Sequence, residues 1–122
     1  MKDRYLQGSP LGDLHNLLCE VKREKRYQFI REGLSHVHPA VRRDAYFWLD
    51  RLPADEATLA AALKGLADGD PYIRRNAAED FSKRLGTKTQ VPALRSFLET
   101  EKDKETRDFL GQAIERIEAL PS

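Results

Sequence analysis

The chain repeats itself. Leu34-Ser35-His36-Val37-His38-Pro39-Ala40-Val41-Arg42-Arg43-Asp44-Ala45 aligns with Leu66-Ala67-Asp68-Gly69-Asp70-Pro71-Tyr72-Ile73-Arg74-Arg75-Asn76-Ala77 at a spacing of 32 residues. Leucine, proline, β-branched residue, arginine pair and alanine recur in register. A period of roughly 20–50 residues commits a chain to a stack of like units, because one unit alone cannot bury its apolar face. Earlier segments carry over as well: Tyr27, Leu59 and Val91, then Ile30, Ala62 and Leu94, then Leu34, Leu66 and Leu98. Within each unit these positions are i, i+3 and i+7, one stripe of a helix. After Leu98 the register slips, so that Arg107 corresponds to Arg74 and Leu110 to Ala77, which one extra residue in the turn Thr100 to Asp103 explains.

Each unit therefore reads as helix, turn, helix. The pattern predicts first helices over about 23–36, 55–67 and 91–101, and second helices over about 39–52, 71–85 and 104–119. Pro39, Pro71 and Pro92 fall in first turns, where a missing N–H is harmless and φ is already helical. Asp70 is placed to cap the helix it precedes, and Gly86 follows Leu85 as a helix-terminating residue. Upstream, Ser9, Pro10 and the apolar positions 11, 14, 17 or 18, and 21 predict a separate N-terminal capping helix over about 9–22.

Bulk properties narrow the partner classes. Basic side chains number 21 and acidic ones 20, for a net charge of +1, which does not predict a nucleic-acid or anionic-membrane partner. Residues 1–52 hold ten Lys/Arg and seven Asp/Glu, and residues 53–122 hold eleven and thirteen, so the front is mildly basic and the rear mildly acidic. Cys19 is the one cysteine, which precludes an intrachain disulfide, and it is expected as a buried thiol. No apolar h-region opens the chain and no stretch is long and apolar enough to span a membrane. The expected location is cytoplasmic.

The middle unit, Leu66-x-Asp68-x-Asp70-Pro71-x-Ile73-Arg74-x-x-Ala77-Ala78, followed by Leu85-Gly86 and Val91-Pro92-x-Leu94, resembles the short HEAT-like repeats of phycobilisome-lyase-type proteins. The resemblance covers about residues 27–119. It implies an all-α fold: one domain over 1–122, a short right-handed α-solenoid of about three hairpins, with units near 23–52, 54–86 and 90–119 behind the capping helix. The first unit departs from the pattern with His36 and His38 in place of aspartates. The third departs with Thr106 for the β-branched aliphatic and Lys104 for proline.

On the second helices, Val41, Ala45, Trp48, Leu49 and Leu52 form one apolar stripe, matched by Ile73, Ala77, Ala78 and Phe81, and these are expected as core. The complementary face carries Ala40, Arg43, Asp44 and Phe47, then Tyr72, Arg75, Asn76 and Glu79. The resemblance implies that second helices line the concave wall, so this face, with Asp108 in the third unit, is the candidate partner-binding surface. Phe47 aligns with Glu79 and Gln112, polar in their own units, which leaves two readings: an anchor for a partner, or a cover for the N-terminal helix. The same resemblance implies that Arg42, Arg74 and Arg107 reach turn acids and carbonyls of an adjoining unit, with Asp68, Asp70 and Asp103 available.

Catalytic and metal constellations are missing from the sequence. Two histidines in a turn, His36 and His38, with His15 elsewhere, lack the spacing of a metal site, so neither a metal nor a cofactor is expected. There is no GxSxG and no Gly-rich phosphate loop. The run Lys22-Arg23-Glu24-Lys25-Arg26 reads as a solvated helix face. The leading function is thus a non-enzymatic protein-interaction module, an adaptor, assembly factor or inhibitor of immunity type. The alternatives are a nucleic-acid-binding HEAT-like protein and a phycobilin-lyase-like assisting protein.

Overall fold

In a computed structural model that describes residues 10–121, six α-helices follow one another: α1 (Pro10–Leu34), α2 (Pro39–Phe47), α3 (Glu56–Leu66), α4 (Pro71–Lys83), α5 (Val91–Thr100) and α6 (Lys104–Glu118). Short 3-10 turns at Leu49–Arg51 and Lys88–Gln90 join units. No strand occurs among the described residues. The helices pair as α1 with α2, α3 with α4 and α5 with α6, and the second helices α2, α4 and α6 pack in succession.

The turn chemistry explains the pairing. Asp70 accepts from the Tyr72 amide at 2.9 Å and Asp103 from the Thr106 amide at 3.0 Å, capping α4 and α6. Two residues earlier in the motif, Asp68 accepts from the Asp70 amide and Glu101 from the Asp103 amide, at 2.9 and 3.0 Å. The first unit makes the same two bonds with imidazoles: His36 Nδ1 accepts from the His38 amide and His38 Nδ1 from the Ala40 amide. The histidines that replace the expected aspartates therefore keep the turn by presenting unprotonated ring nitrogens. Thr106 is fully buried, and its hydroxyl donates to Asp103 at 2.8 Å.

Glycines let the helices meet, Gly33 within the first hairpin and Gly65 both within the second and against the first. A β-carbon on Gly33 would lie 2.8 Å from Ala45 Cβ, and one on Gly65 would lie 2.6 Å from Tyr46 Cε1 and 3.1 Å from Ala77 Cβ. Such a contact admits nothing larger than hydrogen. Gly86, at φ 95°, turns the chain after α4 in a conformation other residues avoid. One continuous core results, running from Leu34 and Leu49 through Ile73, Ala78 and Phe81 to Leu94 and Ile117.

Four expectations need correction. The capping helix and the first helix of unit one are a single helix, α1, because Glu20 to Arg26 contains no glycine, proline or capping residue to part them; Ser9, its expected cap, lies outside the described residues. Cys19 is exposed, since α1, about 37 Å long at 1.5 Å per residue, far overruns the nine-residue α2 against which it packs. Trp48 is 43% exposed: α2 ends at Phe47, and the tighter 3-10 turn that follows breaks the 100° phase on which the stripe was read. Val41 is 40% exposed where its counterpart Ile73 is fully buried, because no described hairpin precedes unit one to cover it. Tyr46 fills the core instead, donating its hydroxyl to the Ala61 carbonyl at 2.7 Å, and burial pushes that hydroxyl's pKa up to about 12.

Candidate partner-binding face

The arginines decide how the second helices sit. Arg42 grips Asp68 with Nε and Nη2 at 3.0 and 3.3 Å and the carbonyls of His36 and Val37 with Nη1. Arg74 repeats this one unit on, holding Glu101 at 2.9 and 3.3 Å and the Asp68 carbonyl at 2.9 Å. The acid contacts cross from one unit to the next, Arg42 to Asp68 and Arg74 to Glu101, whereas the carbonyl contacts stay within each arginine's own unit. The partner of Arg74 is Glu101 and not Asp103; Asp103 is engaged by Thr106. Arg107, the third of the series, is exposed and holds no carboxylate among the described residues, for no described unit follows it.

A second pair went unread in the sequence. Arg84 reaches back 35 residues to the Leu49 carbonyl at 3.0 Å while holding Asp80 at 2.8 and 3.0 Å. Arg116 likewise reaches back 35 residues to the Phe81 carbonyl at 3.0 Å, and it also donates to the Leu85 carbonyl. Their 32-residue separation was the available signal.

Arg43 and Arg75, expected as partner-facing selectors, also bridge units. Arg43 holds Asp70 at 2.9 Å and Arg75 approaches Glu105 at 3.4 Å. Tyr72 lies between them, its ring centroid 5.9 Å from the Arg43 guanidinium and 5.2 Å from that of Arg75. Both arginines remain partly open to solvent, with side-chain exposures of 50% and 36%. The surface is thus a braced strip of stacked cation, ring and cation.

Phe47 stands beside that strip, 56% exposed. It lines a small cleft between α2 and α4 together with Asn76, Glu79, Asp50, Asp80 and Lys83. Asn76 donates to the Tyr72 carbonyl at 3.2 Å, and Glu79 pairs with Lys83 at 3.2 Å. Against α1, the neighbouring aromatic is Trp48, which meets Phe47 edge-on at 5.2 Å and shares a groove with residues of α1. Asp108 pairs with Lys104 at 3.1 Å and lines a separate depression with Arg107, Gln112 and Glu115. The structure therefore brings Phe47, Asn76 and Glu79 together in one cleft, sets Arg43, Tyr72 and Arg75 in the braced strip, and places Asp108 apart.

The turn acids are held as anions. Burial works against the charge of Asp68, but the Arg42 bonds and the Asp70 amide more than offset it and hold the carboxyl below the usual range. Asp70 is lowered in the same way, burial being outweighed by Arg43 and the Tyr72 amide. The Thr106 amide does this for Asp103, with little opposition from burial. A carboxyl lowered on folding contributes stability above its unfolded pKa, about 3.9, and loses it as pH falls through the folded value. Comparing wild type with Asp68→Asn/Asp70→Asn should therefore show a gap in urea midpoint that is full above about pH 5 and closes as pH drops below about 4. A gap that widened on acidification would contradict the assignment.

Among the described residues, no group of three or more His, Cys, Asp or Glu is placed to hold a metal; the His15 side chain lies outside them. No described helix is long and apolar enough to cross a membrane. Comparison with curated proteins and with solved structures found no match. A family model for HEAT repeats matches residues 27–115. Repeats of this family commonly mediate protein–protein interaction and generally serve as non-catalytic scaffolds. The matched span covers α2 through α5, most of α6 and the C-terminal third of α1, takes in every inter-unit arginine contact except that of Arg116, and includes the cleft that holds Phe47; by this match the chain belongs to the HEAT-repeat family.

Proposed function

We propose that the chain is a non-enzymatic protein-binding module whose partner lies along α2 and α4, over the Phe47 cleft and the Tyr72 strip. The observation that carries this reading is Phe47 itself. A phenylalanine left 56% exposed, at a position where the aligned residues are polar, contributes nothing to the core and would gain by burial against another surface. Around it the cleft offers both signs of charge, Asp50, Glu79 and Asp80 against Lys83, which suits orientation of a protein partner and disfavours a phosphate backbone. Arg43 and Arg75, fixed by their acids, supply donors whose geometry is set before binding. Within the class, an adaptor, an assembly factor and an inhibitor of immunity type all use such a wall. A chain with a single cysteine, which cannot form an intrachain disulfide, suits a reducing compartment, and we place the protein in the cytoplasm.

A photo-crosslinking amino acid tests the surface. Placed at positions 47 and 76 in the native host, it should give a discrete protein adduct, while the exposed first-helix positions Ala57 and Ser96 should give none. Phe47→Ala should then weaken the isolated complex by about tenfold or more, as truncation of an apolar anchor does. Adducts from Ala57 or Ser96 alone would move the partner to the other wall and end this reading.

A further inference from the structure

Where α1 passes the end of α2, Arg23, Arg26, Tyr27, Phe29 and Ile30 of α1 face Trp48 and Arg51 across an open groove of about 640 Å³. Three features set it apart from the rest of the surface. Its walls are apolar and solvent-facing, with Phe29 80% and Trp48 43% exposed. Its only charges are three arginines, none of which has a carboxylate partner among the described residues. Elsewhere Arg31, Arg42, Arg43, Arg74, Arg75, Arg84 and Arg95 each hold one. The acids closest in sequence are turned to other clefts: Glu24 lines the one that holds the Arg31–Asp55 pair, and Asp50 lines the Phe47 cleft. A helix face carrying both signs of charge is thereby sorted, with Arg23 and Arg26 on the groove at i and i+3.

From this arrangement we infer that the groove is a docking site for an acidic segment of a partner protein, in which a bulky apolar side chain enters between Phe29 and Trp48 and flanking carboxylates meet the three arginines. Guanidinium groups without a carboxylate partner lose no existing ion pair when they bind one, and their planar forks suit bidentate contact with it. A single-stranded nucleic acid fits less well. Arg51 already lies over the Trp48 ring at 5.2 Å, so a base stacking on that face would have to displace it. A continuing phosphate track would also need free cations beyond these three, and the next arginine along α1, Arg31, is held by Asp55. The site stands independently of the Phe47 cleft, although the Phe47–Trp48 contact makes the two surfaces adjacent.

Trp48 is the chain's only tryptophan, so its emission reports on this groove directly. A random twelve-residue peptide library displayed without tryptophan and selected on the full chain should yield sequences in which Asp or Glu flank Leu, Ile or Phe. Synthetic copies should shift Trp48 emission saturably, and more weakly as salt is raised. Arg23→Glu/Arg26→Glu should weaken binding by at least about tenfold while Arg107→Glu, an exposed arginine far from the groove, changes it less than about twofold. Thermal melting of each variant checks folding. If the double reversal melts early, Arg26→Gln, expected to weaken binding by about threefold, carries the same decision. Enrichment of basic or charge-indifferent peptides, no enrichment, an unresponsive Trp48, or undiminished binding by the folded arginine variants would overturn the proposal. So would a twelve-nucleotide oligo-dT that shifts Trp48 at lower concentration than the selected peptides.

Discussion

Replacing Phe81 by alanine is expected to lower the unfolding free energy by about 3–5 kcal/mol, the usual result of emptying a closed aromatic site. Phe81 is fully buried in α4, the helix that packs against both neighbouring units. Its ring lies against the turn at Gly86, where an added β-carbon would come within 3.3 Å of it, and its carbonyl receives Arg116. Those neighbours are braced and cannot collapse into the void, which places the loss at the upper part of the range. Small domains are stable by only about 5–15 kcal/mol in total, so the variant should sit near the edge of folding. Urea denaturation checks this, with the midpoint falling while the slope stays constant.

Arg74→Ala should lower the unfolding free energy by about 2–4 kcal/mol. The Glu101 side chain is 5% exposed and that of Arg74 23%, so the truncation strands a nearly buried carboxylate whose remaining donor is the Asp103 amide. The Asp68 carbonyl loses a donor at the same time. Arg74→Lys should recover only part of the loss, since a point ammonium cannot make both the bidentate contact and the carbonyl bond. Arg107→Ala, the aligned residue of the last unit, should change stability by less than about 0.5 kcal/mol. Equal losses at 74 and 107 would mean that the arginines act within their own helices and not between units.

The repeat made most of this architecture legible. Proline, cap and arginine recur at fixed offsets because each turn must satisfy the same backbone groups, so Asp70 and Pro71 placed α4 and the leucine columns placed the first helices. Features that depend on neighbours were hidden. The exposure of Trp48 follows from a 3-10 turn that periodicity cannot announce, whereas the burial of Tyr46 was legible in its alignment with core residue Ala78. Val41 and Ile73 read alike in sequence and differ because no described hairpin precedes the first unit to cover Val41. Glu101 stands where Asp68 stands one unit earlier once the extra residue is counted, and it was passed over because the repeated acid there is an aspartate. In the candidate site, Phe47 stood out by disagreeing with its own repeat. The basic run before Tyr27 could not be sorted into groove-facing Arg23 and Arg26 and outlying Glu24 until Trp48 and Arg51 were seen opposite.

The central physical claim is that adjoining hairpins are locked in register by an arginine of one second helix gripping the turn that opens the next. A double-mutant cycle on Arg74 and Glu101, read from urea unfolding of the wild type, Arg74→Ala, Glu101→Ala and the double variant, measures that lock directly. A coupling of about 1–3 kcal/mol is predicted; additive losses, with coupling within about 0.3 kcal/mol of zero, would contradict it.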